Sequence, residues 1–131
     1  MARFELKRLE VVDGIQSFEK LVVDGIDLLE EFERSLEDRY RSEMRTIYAW
    51  MQMVADVKPV PGTVYHAISD GNDGAREYEF KSKHLHVYAF AKTDGKIVVL
   101  GGKKNRQKSD IRRFRSFKKQ LISYLNENET D

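Results

Sequence analysis

Two strand-like segments joined by a short turn lie in the second half of the chain, and this hairpin pattern constrains the fold more than any other feature. Residues 84–91, HLHVYAFA, alternate with the period of a half-buried strand. Thr93, Asp94 and Gly95 follow, and an Asp-Gly pair tolerates the positive φ of a tight hairpin turn. Residues 97–100, IVVL, are apolar without alternation, which predicts a central strand covered on both faces. We expect Gly101-Gly102 to end that strand.

A basic segment comes directly after the predicted strand and contains Lys103, Lys104, Arg106 and Lys108. Ser109-Asp110 then resembles the cap and first position of a C-terminal helix, because apolar residues recur at helical spacing from Ile111 to Leu125. Arg112, Arg113 and Arg115 lie in its first turns, where cations oppose the helix dipole. A bound phosphate would compensate them, so we predict a phosphate-binding site where the strand ends.

The remaining patterns predict the scaffold that carries this site. In chain order they are a strand over Phe4–Val12, two packed helices over Gln16–Ala55, a short strand at Tyr65–Ile68, a turn at 70–74 and a strand at Glu77–Lys81. The apolar residues at helical spacing shift in register near residues 37–39, which divides the two helices. Gly25 is expected to kink the first of them. The fold class is therefore α+β, as a single domain over residues 1–131 with an antiparallel sheet of three to four strands.

Composition excludes several classes of protein. The chain has no cysteine, so a disulfide framework and a thiolate zinc site are not available. It lacks a long apolar run and a signal-peptide pattern, which predicts a cytoplasmic protein without a membrane partner. Gly101-Gly102-Lys103-Lys104 does not match a Walker loop. The net charge is −6 over residues 1–75 and +10 over residues 76–124, which favours a polyanionic partner.

Four short segments together resemble a known family. They are Glu77–Lys81 (EYEFK), Leu85–Phe90 (LHVYAF), Ile97–Leu100 (IVVL) and Lys103–Lys108 (KKNRQK). Their types and order resemble the RelE/ParE superfamily of toxin-antitoxin toxins, in particular its HigB-like and phage Gp49-like branch. The similarity covers about residues 76–122, whereas the N-terminal part agrees only in the order of its elements.

The resemblance implies a RelE-like fold and an mRNA-cleaving toxin that acts in the ribosomal A site without metal or cofactor. It also implies that an RNA 2′-hydroxyl attacks the adjacent phosphate and that a cognate antitoxin protein covers the basic surface. The candidate catalytic residues are Lys81, Lys83, His86 and Arg106. The candidate RNA- or phosphate-binding residues are Lys103, Lys104, Lys108, Arg112 and Arg113.

His86 departs from the pattern, because the family most often has an arginine at this place in the second strand. Histidine does not supply the bidentate fork of arginine, but it transfers protons near neutral pH. Three interpretations stay open. His86 is the base of a histidine-assisted cleavage, it reports the loss of cleavage, or it is an ordinary strand histidine.

Other functions also remain open at this point. A catalytically inactive RelE-like module would bind RNA, the ribosome or an acidic partner through the same loop, and a ParE-like member would act on gyrase. His84 and His86 share one strand two residues apart, which makes a metal pair conceivable, although two histidines alone form an incomplete site. Tyr88 and Phe90 at strand spacing favour packing against a helix over stacking on a nucleobase.

Overall fold

The structure, a computed structural model, describes residues 2–69 and 74–129, with side chains as far as residue 127. Within these residues the chain forms seven strands, three helices and a short 3₁₀ turn over Lys104–Arg106. The strands are β1 (Phe4–Arg8), β2 (Ser17–Val23), β3 (Ile26–Asp27), β4 (Tyr65–Ser69), β5 (Glu77–Lys81), β6 (Leu85–Lys92) and β7 (Gly95–Lys103). The helices are α1 (Leu28–Ser35), α2 (Asp38–Ala55) and α3 (Gln107–Glu129).

All the strands belong to one mixed sheet with the order β1-β2-β7-β6-β5-β4, and β3 pairs with β2. β2 and β7 run parallel, from Ser17 opposite Gly95 to Lys20 opposite Val98. The other pairings are antiparallel. The α+β class and the C-terminal helix are confirmed, but the sheet has more strands than the three to four predicted.

The prediction of a helix from Gln16 was wrong, because residues 17–23 form β2. Phe18 packs in the core on the α2 side of the sheet, whereas Leu21 and Val23 pack on the α3 side. A strand buried on both faces places apolar residues at irregular spacing, which here resembled a helical stripe. Gly25 does not kink a helix, since it forms a turn between β2 and β3 with Asp24, both at positive φ.

The two predicted helices are present, but the first begins at Leu28 and not at Gln16. Asp27 caps α1, its side chain accepting a hydrogen bond from the Glu30 N–H at 3.0 Å. Leu36 is extended and separates α1 from α2, close to the predicted shift of the stripe. Among the described residues, none of the helices combines the length and the apolar character needed to cross a membrane.

Helices cover both faces of the sheet and produce two cores. Met44, Ile47 and Met51 of α2 pack with Phe80 and Val87 on one face. On the other face, Phe114 and Leu121 of α3 pack with a second set, which includes Tyr88, Phe90 and Val99. Residues 95–100 of β7 are all buried, so the predicted central strand is confirmed.

Turn chemistry was predicted correctly where a hairpin was expected. Asp94 has φ 63° and lies between β6 and β7, with Lys92 opposite Gly95. The turn-rich segment predicted at 70–74 falls outside the described residues except for Gly74.

The glycine pair at 101–102 does not end the strand, because β7 continues to Lys103. Each glycine instead permits a close approach on one face of the sheet. A Cβ on Gly101 would lie 2.6 Å from the Phe32 ring of α1, and one on Gly102 would lie 1.9 Å from Asp110 Oδ2 of α3. α3 begins at Gln107, so Asp110 lies inside its first turn and is not the first helical position.

Val57 ends α2 in a conformation that its side chain disfavours. It has φ 59° and is 64% exposed, so packing does not offset the strain of a β-branched residue in the left-handed region. We expect Val57→Gly to raise the free energy of unfolding by about 1 kcal/mol, as glycine is the usual residue at this position. Urea denaturation checks this, with Val11→Gly at another exposed position as control. Equal effects of the two substitutions would contradict it.

Candidate functional site

The C-terminal ends of β5 and β7 and the start of β6 lie at the same end of the sheet. Lys81 pairs with His86, and Leu85 pairs with Lys103. The Lys104 N–H donates to the His84 carbonyl at 3.0 Å and links the β5–β6 turn to the basic segment. We call the resulting surface the cationic end; its cations are Lys81, Lys83, Lys103, Lys104 and Arg106. The sheet thus places the β5–β6 turn and the segment after β7 at the same end.

His84 lies within this cationic end and is held from below by α2. Its Nδ1 is 2.7 Å from Oε2 of Glu43, and its backbone N–H donates to Oε1 of the same carboxylate at 2.8 Å. Ser82 Oγ also donates to this Oε1, at 2.6 Å. The Tyr40 ring packs against the imidazole with centroids 5.2 Å apart. These contacts fix the position of an imidazole whose side chain is 46% exposed.

This arrangement assigns the two ring nitrogens of His84 different roles. The Glu43 carboxylate accepts hydrogen bonds only, so Nδ1 carries a proton and donates it. In the neutral ring Nε2 then has the lone pair and can accept a proton from a ligand. A carboxylate also orients the histidine that acts as general base in Ser-His-Asp triads, so this arrangement is compatible with proton transfer.

Glu43 remains charged over a wide pH range. Burial alone would raise the pKa of its carboxyl, but hydrogen bonds from Ser82 and His84, with the charge of His84, outweigh burial and lower the pKa below its ordinary value of 4.5. A lowered pKa contributes stability above the ordinary value, and this contribution is lost as the pH falls through the folded value.

We therefore expect acidification below pH 4.5 to destabilise the wild type more steeply than Glu43→Gln, which has no carboxyl to protonate. Urea unfolding at a series of pH values from neutral to about pH 3 measures both slopes. Glu10→Gln, at an exposed carboxylate between β1 and β2, is the control and should keep the wild-type slope. Identical slopes for wild type and Glu43→Gln would contradict the role of this carboxylate.

Tyr40 links His84 to two cations. Lys103 Nζ lies 5.1 Å from the centre of the Tyr40 ring and Arg39 Cζ lies 4.7 Å from it. Lys103 Nζ is also 3.4 Å from Glu37 Oε1. Arg39 Nε is likewise 3.1 Å from Glu37 Oε2. The histidine therefore has two cations near it that share one carboxylate partner.

His86 lies on the opposite face of the sheet, completely buried under α3. Its Nε2 is 2.8 Å from Asp110 Oδ2, and its Nδ1 is 3.3 Å from the Tyr88 hydroxyl. Tyr88 donates to Glu79 Oε2 at 2.9 Å, and burial followed by the Glu79 charge raises the pKa of the phenol. This hydrogen-bonded network joins β5 and β6 to the start of α3, and the imidazole has no solvent-exposed atom in this conformation.

The other predicted residues divide between the cationic end and α3. Lys83 is exposed in the β5–β6 turn, and Lys81 is partly buried beside His86. Lys108, Arg112 and Arg113 are exposed on α3. The two histidines of the conceivable metal pair separate, since His84 contacts α2 and His86 contacts α3. In the described part of the chain, no group of three or more potential metal ligands comes together.

Part of the positive charge of α3 is balanced within the molecule. Glu77 is buried, and its carboxylate accepts from Arg115 Nε at 3.0 Å and from Lys118 Nζ at 3.1 Å. Arg115, which the sequence placed among the cations opposing the helix dipole, thus has an internal partner.

Sequence reasoning missed Glu43 and Ser82, and it considered His84 only as a metal ligand. Glu43 is separated from His84 by 41 positions, so no local spacing relates them. Their pairing depends on how α2 packs across β5 and β6. The only sequence signal for this site was a histidine between Lys83 and Leu85.

Comparison of this chain with protein-family models, with curated proteins and with solved structures found no match. The class is therefore defined by fold and site. It is an α+β protein with helices on both faces of a mixed sheet. At its cationic end, a carboxylate orients an exposed histidine.

Proposed function

We propose that this protein is a metal-independent endoribonuclease of the toxin type, which cleaves mRNA on the ribosome through attack by a 2′-hydroxyl. The observation that supports this most strongly is the exposed His84, held by Glu43 among the cations of the cationic end. The RelE/ParE resemblance implies one strand, two helices, three to four antiparallel strands and a helix. The chain has α1 and α2 followed by the antiparallel strands β4 to β7 and then α3, but three strands and not one precede α1.

In the proposed reaction, His84 Nε2 accepts the proton of the 2′-hydroxyl. The 2′-oxygen forms a bond to phosphorus and the bond to the 5′-oxygen breaks, which leaves a 2′,3′-cyclic phosphate and a 5′-hydroxyl. Ammonium groups of Lys83 and Lys104 stabilise the charge that develops on the phosphate and protonate the leaving oxygen. Arg106 binds a neighbouring phosphate, since its guanidinium can form two parallel hydrogen bonds.

This proposal moves proton transfer from His86 to His84. An imidazole with 0% exposure does not reach a polymeric substrate, whereas the His84 side chain is 46% exposed. His86 would act indirectly, because Asp110 and Tyr88 use it to hold α3 and the basic segment on the sheet.

An inactive binding module is the second candidate, and the buried His86 supports it. If the family's usual arginine at this position is essential for cleavage, its replacement by a buried histidine leaves binding without chemistry. The same cationic end would then engage RNA, the ribosome or an acidic segment of an antitoxin partner by charge complementarity.

Inducible expression in a bacterial host, with growth recorded and new mRNA 5′ ends mapped, tests the proposal. The wild type should arrest growth and cut translated mRNA, whereas Lys104→Gln combined with Arg106→Gln should do neither. On single-stranded RNA, each lost phosphate contact should make the slope of log K against log salt concentration shallower by about 0.7. If the purified protein binds RNA but leaves the mRNA on programmed ribosomes intact, the binding module is favoured instead.

A further inference from the structure

A second feature adjoins the cationic end: an open cleft of about 490 Å³ between α1 and the junction of β7 with α3. Phe32, Leu100 and Gly101 supply its apolar lining, and Lys103, Arg106 and Arg113 supply positive charge. Lys103 belongs to both surfaces, since it lines the cleft and also lies over the Tyr40 ring beside His84. A chain bound at the cationic end would therefore continue into the cleft.

The floor of the cleft is unusual for a sheet because strand backbone reaches it. β2 pairs with β7 only as far as Val98, so in the described structure the edge of β7 beyond that residue faces α1 and not another strand. The glycines at 101 and 102 place no side chain over this edge. Phe32 supplies an aromatic wall, and its ring packs directly over Gly101. An aromatic wall beside glycine backbone leaves room for a flat ring such as a nucleobase.

The charged groups of the cleft suggest which ligand fits. Within the described residues, the guanidinium groups of Arg106 and Arg113 have no carboxylate partner at ion-pair distance; Arg113 lies over the Phe117 ring at 5.4 Å. A phosphate would supply the missing anion. Two carboxylates also line the cleft: Glu31 is exposed, and Asp110 is buried with its Oδ2 2.8 Å from His86 Nε2. Carboxylate oxygens accept hydrogen bonds only, so Glu31 and the Oδ1 of Asp110 favour a base that carries an amino group.

We infer that this cleft binds one nucleotide of the RNA next to the cleaved phosphate, with an amino-bearing base against Phe32 and its phosphate at Arg106 and Arg113. The inference rests on the proposed function and adds a preference for cytosine or adenine over uracil at one position. Uracil presents carbonyl oxygens where the cleft has carboxylates, so it loses hydrogen bonds there.

Titration of ¹⁵N-labelled protein with cytidine 5′-monophosphate tests this site directly. Shifted amides should map to residues 28–35 and 100–113, and uridine 5′-monophosphate should bind about tenfold more weakly. Arg113→Gln should raise the Kd for the cytidine nucleotide about tenfold. The matched control is Arg45→Gln, which removes the same charge from an exposed position on α2 outside the cleft and should leave the Kd unchanged.

Equal effects of the two arginine substitutions, equal Kd values for the two nucleotides, or shifts confined to other surfaces would each overturn the inference. Both arginines are exposed, so we expect both variants to fold like the wild type. The outcome is separable from the proposed function. Nucleotide binding in the cleft without any RNA cleavage would refute the nuclease alone, and cleavage that depends on His84 but not on Arg113 would refute the cleft alone.

Discussion

His84→Gln is expected to reduce RNA cleavage by roughly 10²- to 10⁴-fold while RNA affinity changes by no more than about twofold. Glutamine keeps a polar side chain of similar size but cannot accept and return a proton. His84 is the exposed histidine that a carboxylate orients within the cationic end, so its removal should act on the chemical step. Ribosomes programmed with a defined mRNA measure cleavage, and the same mRNA with a 2′-deoxy residue at the cut site measures affinity.

Two comparisons make the His84 result specific. His66→Gln removes a partly exposed histidine on β4 that pairs with Glu79 at 3.2 Å, and it should leave cleavage unchanged. Glu43→Gln keeps the imidazole but weakens its orientation, so it should give a smaller loss and a shifted dependence of rate on pH. Loss of cleavage in a folded His86→Gln variant, with full activity in His84→Gln, would return proton transfer to His86.

Gly102→Ala is expected to lower the free energy of unfolding by about 3 kcal/mol or more. The new Cβ would lie 1.9 Å from Asp110 Oδ2 and 3.1 Å from His86 Nε2, so the buried carboxylate must leave its histidine. Breaking a buried hydrogen-bonded pair costs about 3 to 5 kcal/mol, and overpacking adds to it. Chemical denaturation measures the change.

The chain offers a matched control and a rescue for this prediction. A Cβ on Gly62 meets no atom within 4 Å, so Gly62→Ala should be neutral or slightly stabilising. Asp110→Ala removes the atom that clashes, and the double variant Gly102→Ala/Asp110→Ala should therefore be clearly more stable than the sum of the single changes predicts. Strict additivity would show that the cost of Gly102→Ala arises elsewhere.

Sequence patterns predicted the second half of the chain better than the first. The hairpin of β6 and β7 has local turn chemistry at Asp94 and strong strand periodicity, and both survive in the structure. The Asp24-Gly25 turn carries the same signature but was interpreted as a helix kink, because the apolar spacing of β2 resembled a helical stripe. Burial on both faces removes the alternation by which an isolated strand is recognised.

The sequence by itself determined the α+β class, the two helices before the hairpin, the C-terminal helix and the gathering of cations after the central strand. These follow from local periodicity, turn residues and charge, which act over a few positions. Only the tertiary structure decided that His84 is exposed beside Glu43 while His86 is buried with Asp110. His84 precedes β6 and lies in the turn where α2 supplies Glu43, whereas His86 lies on β6 under α3. Both helices are distant from the histidines in sequence, so local patterns do not show which one each histidine meets.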